Sequence, residues 1–288
     1  MRKILITGSN GQLGNSIKKL EVNYKETSFV YTDVADLDIT KWEDVKQFID
    51  DGKFTDVVNC AAYTAVDKAE EEYDLAYLIN AQGPANLAKA SKLFPCRFFH
   101  ISTDYVFDGL AHRPYVEIDD TNPPSAYGKS KLEGEKLVEQ EGLGALIIRT
   151  SWLYSEFGNN FLKTMMKYGK ERDELKVVFD QVGTPTYAGD LAASILCILH
   201  STKRAEKNEI YHFSNEGVVS WYDFAREIMD GASIECKISP ILSVEYPLPA
   251  PRPYFSVLDK AKIKSNFDID IPYWKDSMMR CIKELQEF

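Results

Sequence analysis

Tyr127 and Lys131, in the run Tyr127-Gly-Lys-Ser-Lys131, have the residue types and the spacing that proton donation to a carbonyl oxygen requires. An interval of four residues puts both side chains on one face of a helix, one turn apart. A free phenol has a pKa near 10, too high for easy proton exchange at neutral pH. An ammonium about 4 Å away is worth roughly 4 kcal/mol at an effective dielectric near 20. That is up to about three pK units, so the expectation is a phenol drawn towards neutrality. Such a phenol suits general acid catalysis on a ketone that accepts hydride. Ser102-Thr103-Asp104 lies at the carboxyl end of the fourth predicted strand. A hydroxyl there can bond the same oxygen and stabilise the developing charge. A Tyr-x-x-x-Lys spacing alone is common on exposed helices, so its meaning depends on the elements that carry it.

The first of those elements is the stretch Gly8-Ser9-Asn10-Gly11-Gln12-Leu13-Gly14, which follows the apolar run Ile4-Leu5-Ile6. Strand, glycine loop and helix in that order form a cradle for a dinucleotide. Gly8 turns the chain, Gly11 lets a diphosphate approach the backbone, and Gly14 allows close packing. The diphosphate then meets the positive end of the helix. Asp33 lies past the second predicted strand, Phe29-Val30-Tyr31. A carboxylate there can accept both hydroxyls of an adenosine ribose and repels a 2′-phosphate, which favours NADH; Asp36 and Asp38 nearby compete for the assignment.

Strands at 56–61, 97–102 and 145–149 alternate with helices at 42–49, 73–92 (interrupted by Gly83-Pro84) and 127–141. This predicts an α/β fold with a doubly wound parallel sheet of the Rossmann type. Residues 1–150 form the expected dinucleotide-binding domain, with 178–215 returning to it through a helix at 190–199 and a strand at 210–213. Residues 151–177 and 216–288, rich in aromatics and prolines, form the expected smaller substrate-binding lobe.

Composition excludes several classes. The net charge of −10 disfavours nucleic acid. No apolar run approaches the roughly 20 residues of a membrane span, and no secretory signal is read at the start. Cys60, Cys96, Cys197, Cys236 and Cys281 are odd in number and lack a CxxC pair, which fits free thiols in the cytoplasm. His100, His112, His200 and His212 show no zinc spacing, so no metal is expected.

The glycine loop, Asn59-Cys-Ala-Ala-Tyr-Thr64, Ser102-Thr-Asp-Tyr-Val-Phe-Asp-Gly109 and Tyr127-Gly-Lys-Ser-Lys-Leu-Glu-Gly-Glu135 resemble the extended short-chain dehydrogenase/reductase family. Arg149-Thr-Ser-Trp-Leu-Tyr154, Asp180-Gln-Val-Gly-Thr-Pro-Thr186 and Arg252-Pro253 are similar to its subgroup that acts on nucleotide-linked 6-deoxysugars. The resemblance spans roughly residues 1–260. It implies NADPH or NADH as cofactor and reduction of the C4 keto group, with dTDP-4-dehydro-L-rhamnose giving dTDP-L-rhamnose. It implies Thr103, Tyr127 and Lys131 as the catalytic trio, with Lys131 also on the nicotinamide ribose. It places Asp38-Ile39 beside the adenine and Ala61, Ala62 and Tyr63 along the cofactor. Asp104, Tyr105, Trp152 and Arg252 fall on the sugar-nucleotide side. Cys60 departs from the usual Ala and should be tolerated because it is small. Relatives include metal-bridged dimers; no ligand cluster for that is found here, and a homodimer stays open.

Trp42, Trp221 and Trp274 read as packing residues, Gln181 as a turn cap, and Glu70-Glu71-Glu72 as a solvated helix face. Arg252 is balanced between a substrate diphosphate and a structural ion pair. Two rival functions remain: a non-catalytic dinucleotide-binding regulatory subunit and a nucleotide-sugar epimerase.

Overall fold

The computed structural model describes residues 2–201, 203 and 205–287. Its first half runs β1 (Arg2–Thr7), α1 (Gln12–Leu20), β2 (Thr27–Thr32), α2 (Trp42–Gly52), β3 (Asp56–Asn59), α3 (Tyr73–Tyr77), α4 (Gly83–Leu93), β4 (Arg97–Thr103), α5 (Ala126–Glu141) and β5 (Leu146–Thr150). There follow β6 (Leu153–Tyr154), α6 (Phe161–Glu171), β7 (Glu174–Val178), β8 (Val182–Gly183), β9 (Thr186–Tyr187), α7 (Ala188–His200), β10 (Glu209–Phe213), β11 (Val219–Ser220), α8 (Trp221–Ala232), β12 (Lys237–Ile241), α9 (Ala261–Phe267) and α10 (Trp274–Glu287).

Six strands form one sheet in the order β10-β5-β4-β3-β1-β2, every pair parallel. Both faces are covered, as an all-parallel sheet requires. Successive residues of a strand face opposite ways. Ile4 and Ile6 therefore pack with Ile17, Leu191 and Ile195, while Leu5 packs with Val45, Ile49 and Val138. β1 lies between β2 and β3, so the winding reverses there and a crevice opens at the strands' carboxyl ends.

The later segments form small paired strands, β8 with β11, β7 with β12 and β6 with β9. A separate core of Tyr154, Leu162, Phe224, Ile228 and Met278 holds them together. Packing crosses the division expected at residue 216, because Ile263, Ile269 and Ile271 join the core beneath Ile4 and Ile6.

The helix expected over 73–92 is broken earlier than Gly83-Pro84. A π turn occupies Leu78–Gln82, and Pro84 sits harmlessly in the first turn of α4. Such turns often mark functional ground. Here the π turn carries the buried Asn80, whose side chain accepts from Tyr63 N–H at 2.8 Å and donates to the Tyr63 carbonyl at 3.0 Å and to Ser130 Oγ at 3.0 Å. It thereby ties the loop after β3 to α5.

Candidate active site

A cavity of about 870 Å³ follows the carboxyl ends of the main sheet. Each strand from β1 to β5 delivers a candidate residue to its wall: Gly8, Asp33, Ala61, Thr103 and Trp152.

The glycine loop is built as its spacing requires. Gly8 has φ +63°, and a side chain there would drive a Cβ to within 2.5 Å of the Ala61 backbone. A Cβ on Gly14 would lie 2.5 Å from Ser9 Cα, so Gly14 packs α1 against its own preceding loop. Gly11 caps α1 without a side chain, and Gly11, Gln12 and Leu13 line the cavity. The first N–H groups of a helix lack intrahelical partners. They are therefore available to an anion, and the chain fits a dinucleotide diphosphate here. Gln12 adds a link the motif does not foretell. Its amide donates to the Leu153 carbonyl at 3.3 Å and accepts from Ser155 Oγ at 3.1 Å and Asn160 Nδ2 at 2.9 Å. The glycine loop is thus fastened to the 155–160 loop, and Asn159 and Asn160 line the cavity with it.

Asp33 is held by the backbone: its carboxylate accepts from Asn10 N–H at 3.1 Å and Val34 N–H at 2.8 Å. Asp38 and Ile39 also line the cavity. Asp38 accepts from the Thr40 hydroxyl at 2.7 Å, and this bond holds its carboxyl below the usual range. Ala61 and Ala62 face the cavity, whereas Asn10, Gly14, Tyr63 and Arg252 stand outside its lining. The Tyr63 hydroxyl donates to Glu72, and its ring packs against the small cluster of Ala69, Ala76 and Ala126 that Tyr127 also touches.

Tyr127 and Lys131 line the same cavity from the first turns of α5. Ser125 caps that helix by accepting from Gly128 N–H at 3.1 Å. Glu70, from the run read as a solvated face, accepts from Ala126 N–H at 2.9 Å and steadies the same end. The Thr103 hydroxyl donates to Asp104 Oδ1 at 3.0 Å, and Thr103 lines the cavity together with Tyr127. Lys131 is 1% exposed and donates to the Ile101 carbonyl at 2.7 Å.

The expected acidic phenol is corrected by this packing. Burial pushes Tyr127 up to about 12, and the Thr103 hydroxyl offsets only part of that. Burial lowers Lys131 to about 8, against the opposing pull of the Glu135 carboxylate. A helical spacing determines which side chains are neighbours; it says nothing of how deeply they are buried.

Asp104 is buried beside them, with Oδ2 unpaired among the described residues. Burial raises its carboxyl from 3.8 to about 7. A carboxyl raised in the fold contributes stability that is lost as pH rises through about 7. Asp104→Asn keeps the shape without the charge. It should melt like the parent only below about pH 3.8, the ordinary carboxyl value, and higher than the parent at pH 8.5, by about 2–4 °C per kcal/mol recovered. Equal melting temperatures at pH 8.5 would show that the native carboxylate is not strained.

At the far end, Tyr105 meets Tyr127 edge to face at 5.4 Å. Arg252 is engaged by Asp67 at 2.8 Å. Trp221 lines the cavity alongside Trp152, their rings stacked at 3.5 Å and 7°. The reading of Trp221 as a packing residue is therefore incomplete; its place at the start of α8 gave no local sign of the site. Trp274 is buried in the second core, and Trp42 carries Lys89 over its ring.

Among known proteins, the family model described as the RmlD substrate binding domain matches residues 1–287. A dTDP-4-dehydrorhamnose reductase of Aggregatibacter actinomycetemcomitans is 42% identical over 100% of this chain and 99% of its own. Among solved structures, a dTDP-4-dehydrorhamnose reductase from Clostridium acetobutylicum is similar with a TM-score of 0.93 and 48% identity, covering 99% of both chains. One from Bacillus anthracis, in complex with NADP, has a TM-score of 0.94 and 40% identity, covering 99% of this chain and 100% of that one.

Proposed function

The chain belongs to the dTDP-4-dehydrorhamnose reductase family, and from that premise we propose that it reduces the C4 keto group of dTDP-4-dehydro-L-rhamnose to give dTDP-L-rhamnose. The observation that carries this reading is one cavity lined by Gly11, Thr103, Tyr127, Lys131 and Trp152 together. When bound, NADPH or NADH supplies the hydride.

The chain's own residues do the rest. The bare N–H groups opening α1 take the diphosphate. Lys131 orients the nicotinamide ribose from one helical turn beyond Tyr127. Thr103 and Tyr127 bond the C4 oxygen, and Tyr127 gives it a proton as the alkoxide forms. Asp104, Tyr105 and Trp152 border the sugar, with Arg252 at the nucleotide side once Asp67 yields it. Two lobes, 1–150 with 178–215 and the remainder, would enclose the substrate between them. Free Cys60, Cys96, Cys197, Cys236 and Cys281 support a reducing compartment such as the cytoplasm. No described helix is long and apolar enough to cross a membrane. A homodimer is the assembly the family resemblance allows, and sedimentation reads it.

The test is consumption of NADPH or NADH by the purified, folded protein with dTDP-4-dehydro-L-rhamnose, run beside GDP- and UDP-linked 4-keto sugars. Turnover confined to the dTDP sugar supports the assignment. A protein that binds cofactor but turns over none of them points to the regulatory rival.

Asp33 supports a preference for NADH, because a 2′-phosphate would approach a carboxylate already fixed by two backbone N–H groups. Asp33→Ala should move the NADPH-to-NADH ratio of kcat/KM towards NADPH by about tenfold, or about 1.4 kcal/mol. An unmoved ratio removes Asp33 from ribose recognition.

A further inference from the structure

Trp152 has φ +47°. A bulky residue in the left-handed region is an outlier, held there only when its surroundings dictate it. Those surroundings come from the Asp180–Thr186 stretch, whose chemistry the proposed reaction does not use. The Trp152 carbonyl accepts from Thr186 N–H at 3.1 Å, and Ser151 Oγ donates to the Thr184 carbonyl at 2.8 Å. Thr184 Oγ1 donates in turn to the Gly217 carbonyl at 2.7 Å. The β8–β11 pair sets Gly183 opposite Val219 and Val182 opposite Ser220, which delivers Trp221 to the adjoining position. Ser220 closes a capping box with Asp223, and Phe161 packs against Trp221 at 4.5 Å. The indole of Trp221 therefore stands on a rigid base. A Cβ on Gly183 would come within 2.7 Å of Trp152 Cε2 and 2.8 Å of Cζ2, so the bare Cα is what lets that ring lie where it does.

We infer that Trp221 is a positioning residue of this site: its indole holds Trp152 in the left-handed conformation, with the Trp152 ring presented to the sugar nucleotide. The inference rests on the proposed function for the identity of the ligand. The clamp itself is the Trp152–Trp221 stack, braced by the Val182–Thr186 segment. A flat apolar wall of this kind suits the C–H face and methyl group of a deoxysugar. A free-swinging Trp152 would lose affinity for the sugar and leave the cofactor's end of the cavity untouched.

The experiment compares the parent with Trp221→Leu, Trp221→Phe and Gly183→Ala. Two readouts are taken: the far-ultraviolet exciton couplet of the stacked indoles, and affinity for dTDP-L-rhamnose and NADPH. Trp221→Leu should abolish the couplet and weaken dTDP-L-rhamnose by about tenfold, the scale of one aromatic stack, with NADPH affinity unchanged. Trp221→Phe, which keeps a ring in place, should recover most of the sugar-nucleotide affinity. Gly183→Ala leaves Trp221 intact and pushes the Trp152 ring from another side, so it should weaken the couplet and the sugar affinity even if Trp221→Leu does not fold. Parent-like sugar affinity in either Trp221→Leu or Gly183→Ala overturns the inference. A parent that does not bind dTDP-L-rhamnose refutes the proposed function instead, and the couplet in the parent and in Gly183→Ala then judges the clamp alone.

Discussion

Tyr127→Phe should lower kcat by about 10²–10⁴-fold, the usual contribution of a positioned general acid. Affinity for NADPH should stay near the parent's, because the ring and its edge-to-face contact with Tyr105 survive the loss of the hydroxyl. The buried environment sharpens the reason. With its pKa pushed up to about 12, Tyr127 is fully protonated at neutral pH. For reduction this is no handicap, since an alkoxide is a far stronger base than a phenolate and takes the proton readily. A phenol drawn to neutrality is needed by the reverse oxidation, where the same group must act as a base. The substitution should therefore depress both directions, and the reverse rate should rise more steeply with pH in the parent. Steady-state turnover with dTDP-4-dehydro-L-rhamnose is the measurement. A Phe variant within a fewfold of the parent removes Tyr127 from the chemistry.

Lys131→Met is expected to separate activity from stability. The amine is enclosed between α5 and β4, donates to the Ile101 carbonyl at 2.7 Å, and is lowered to about 8, chiefly by burial, with Glu135 opposing. Glu135 is itself clasped by Arg149 at 2.9 and 2.7 Å, and His100, on the adjoining strand, is kept neutral by burial and by Lys131. In the proposed reaction an ammonium holds the ribose and favours negative charge at the reacting oxygen. Parent activity should therefore fall as pH rises through about 8. The variant should lose about 10²-fold or more in kcat/KM and show no such limb. Stability moves the other way. A lysine lowered in the fold binds fewer protons than in the unfolded chain, so the parent gains stability as pH climbs from about 8 towards 10.5. An apolar side chain of similar length avoids the cost of a buried charge at neutral pH. Melting of the variant at pH 7 should be no lower than the parent's, and any advantage should shrink above pH 8. A variant with the parent's rate and pH profile would contradict the role given to Lys131.

Much of the fold is legible in the sequence, because its signals are local. Alternating apolar runs and helical periods mark the strands and helices of residues 1–150, since both repeats are imposed by backbone geometry over a few residues. Gly8 is required by its own backbone angle, and Tyr127 and Lys131 are neighbours because a helix makes them so. Other features depend on residues far apart in the chain. The buried phenol of Tyr127, the hold of Gln12 on Ser155 and Asn160, the support of α5 by Glu70 and the pairing of Trp152 with Trp221 all arise where separate elements meet. Burial and long-range contact are properties of packed volume, and no spacing along one strand or helix encodes what will be packed above it.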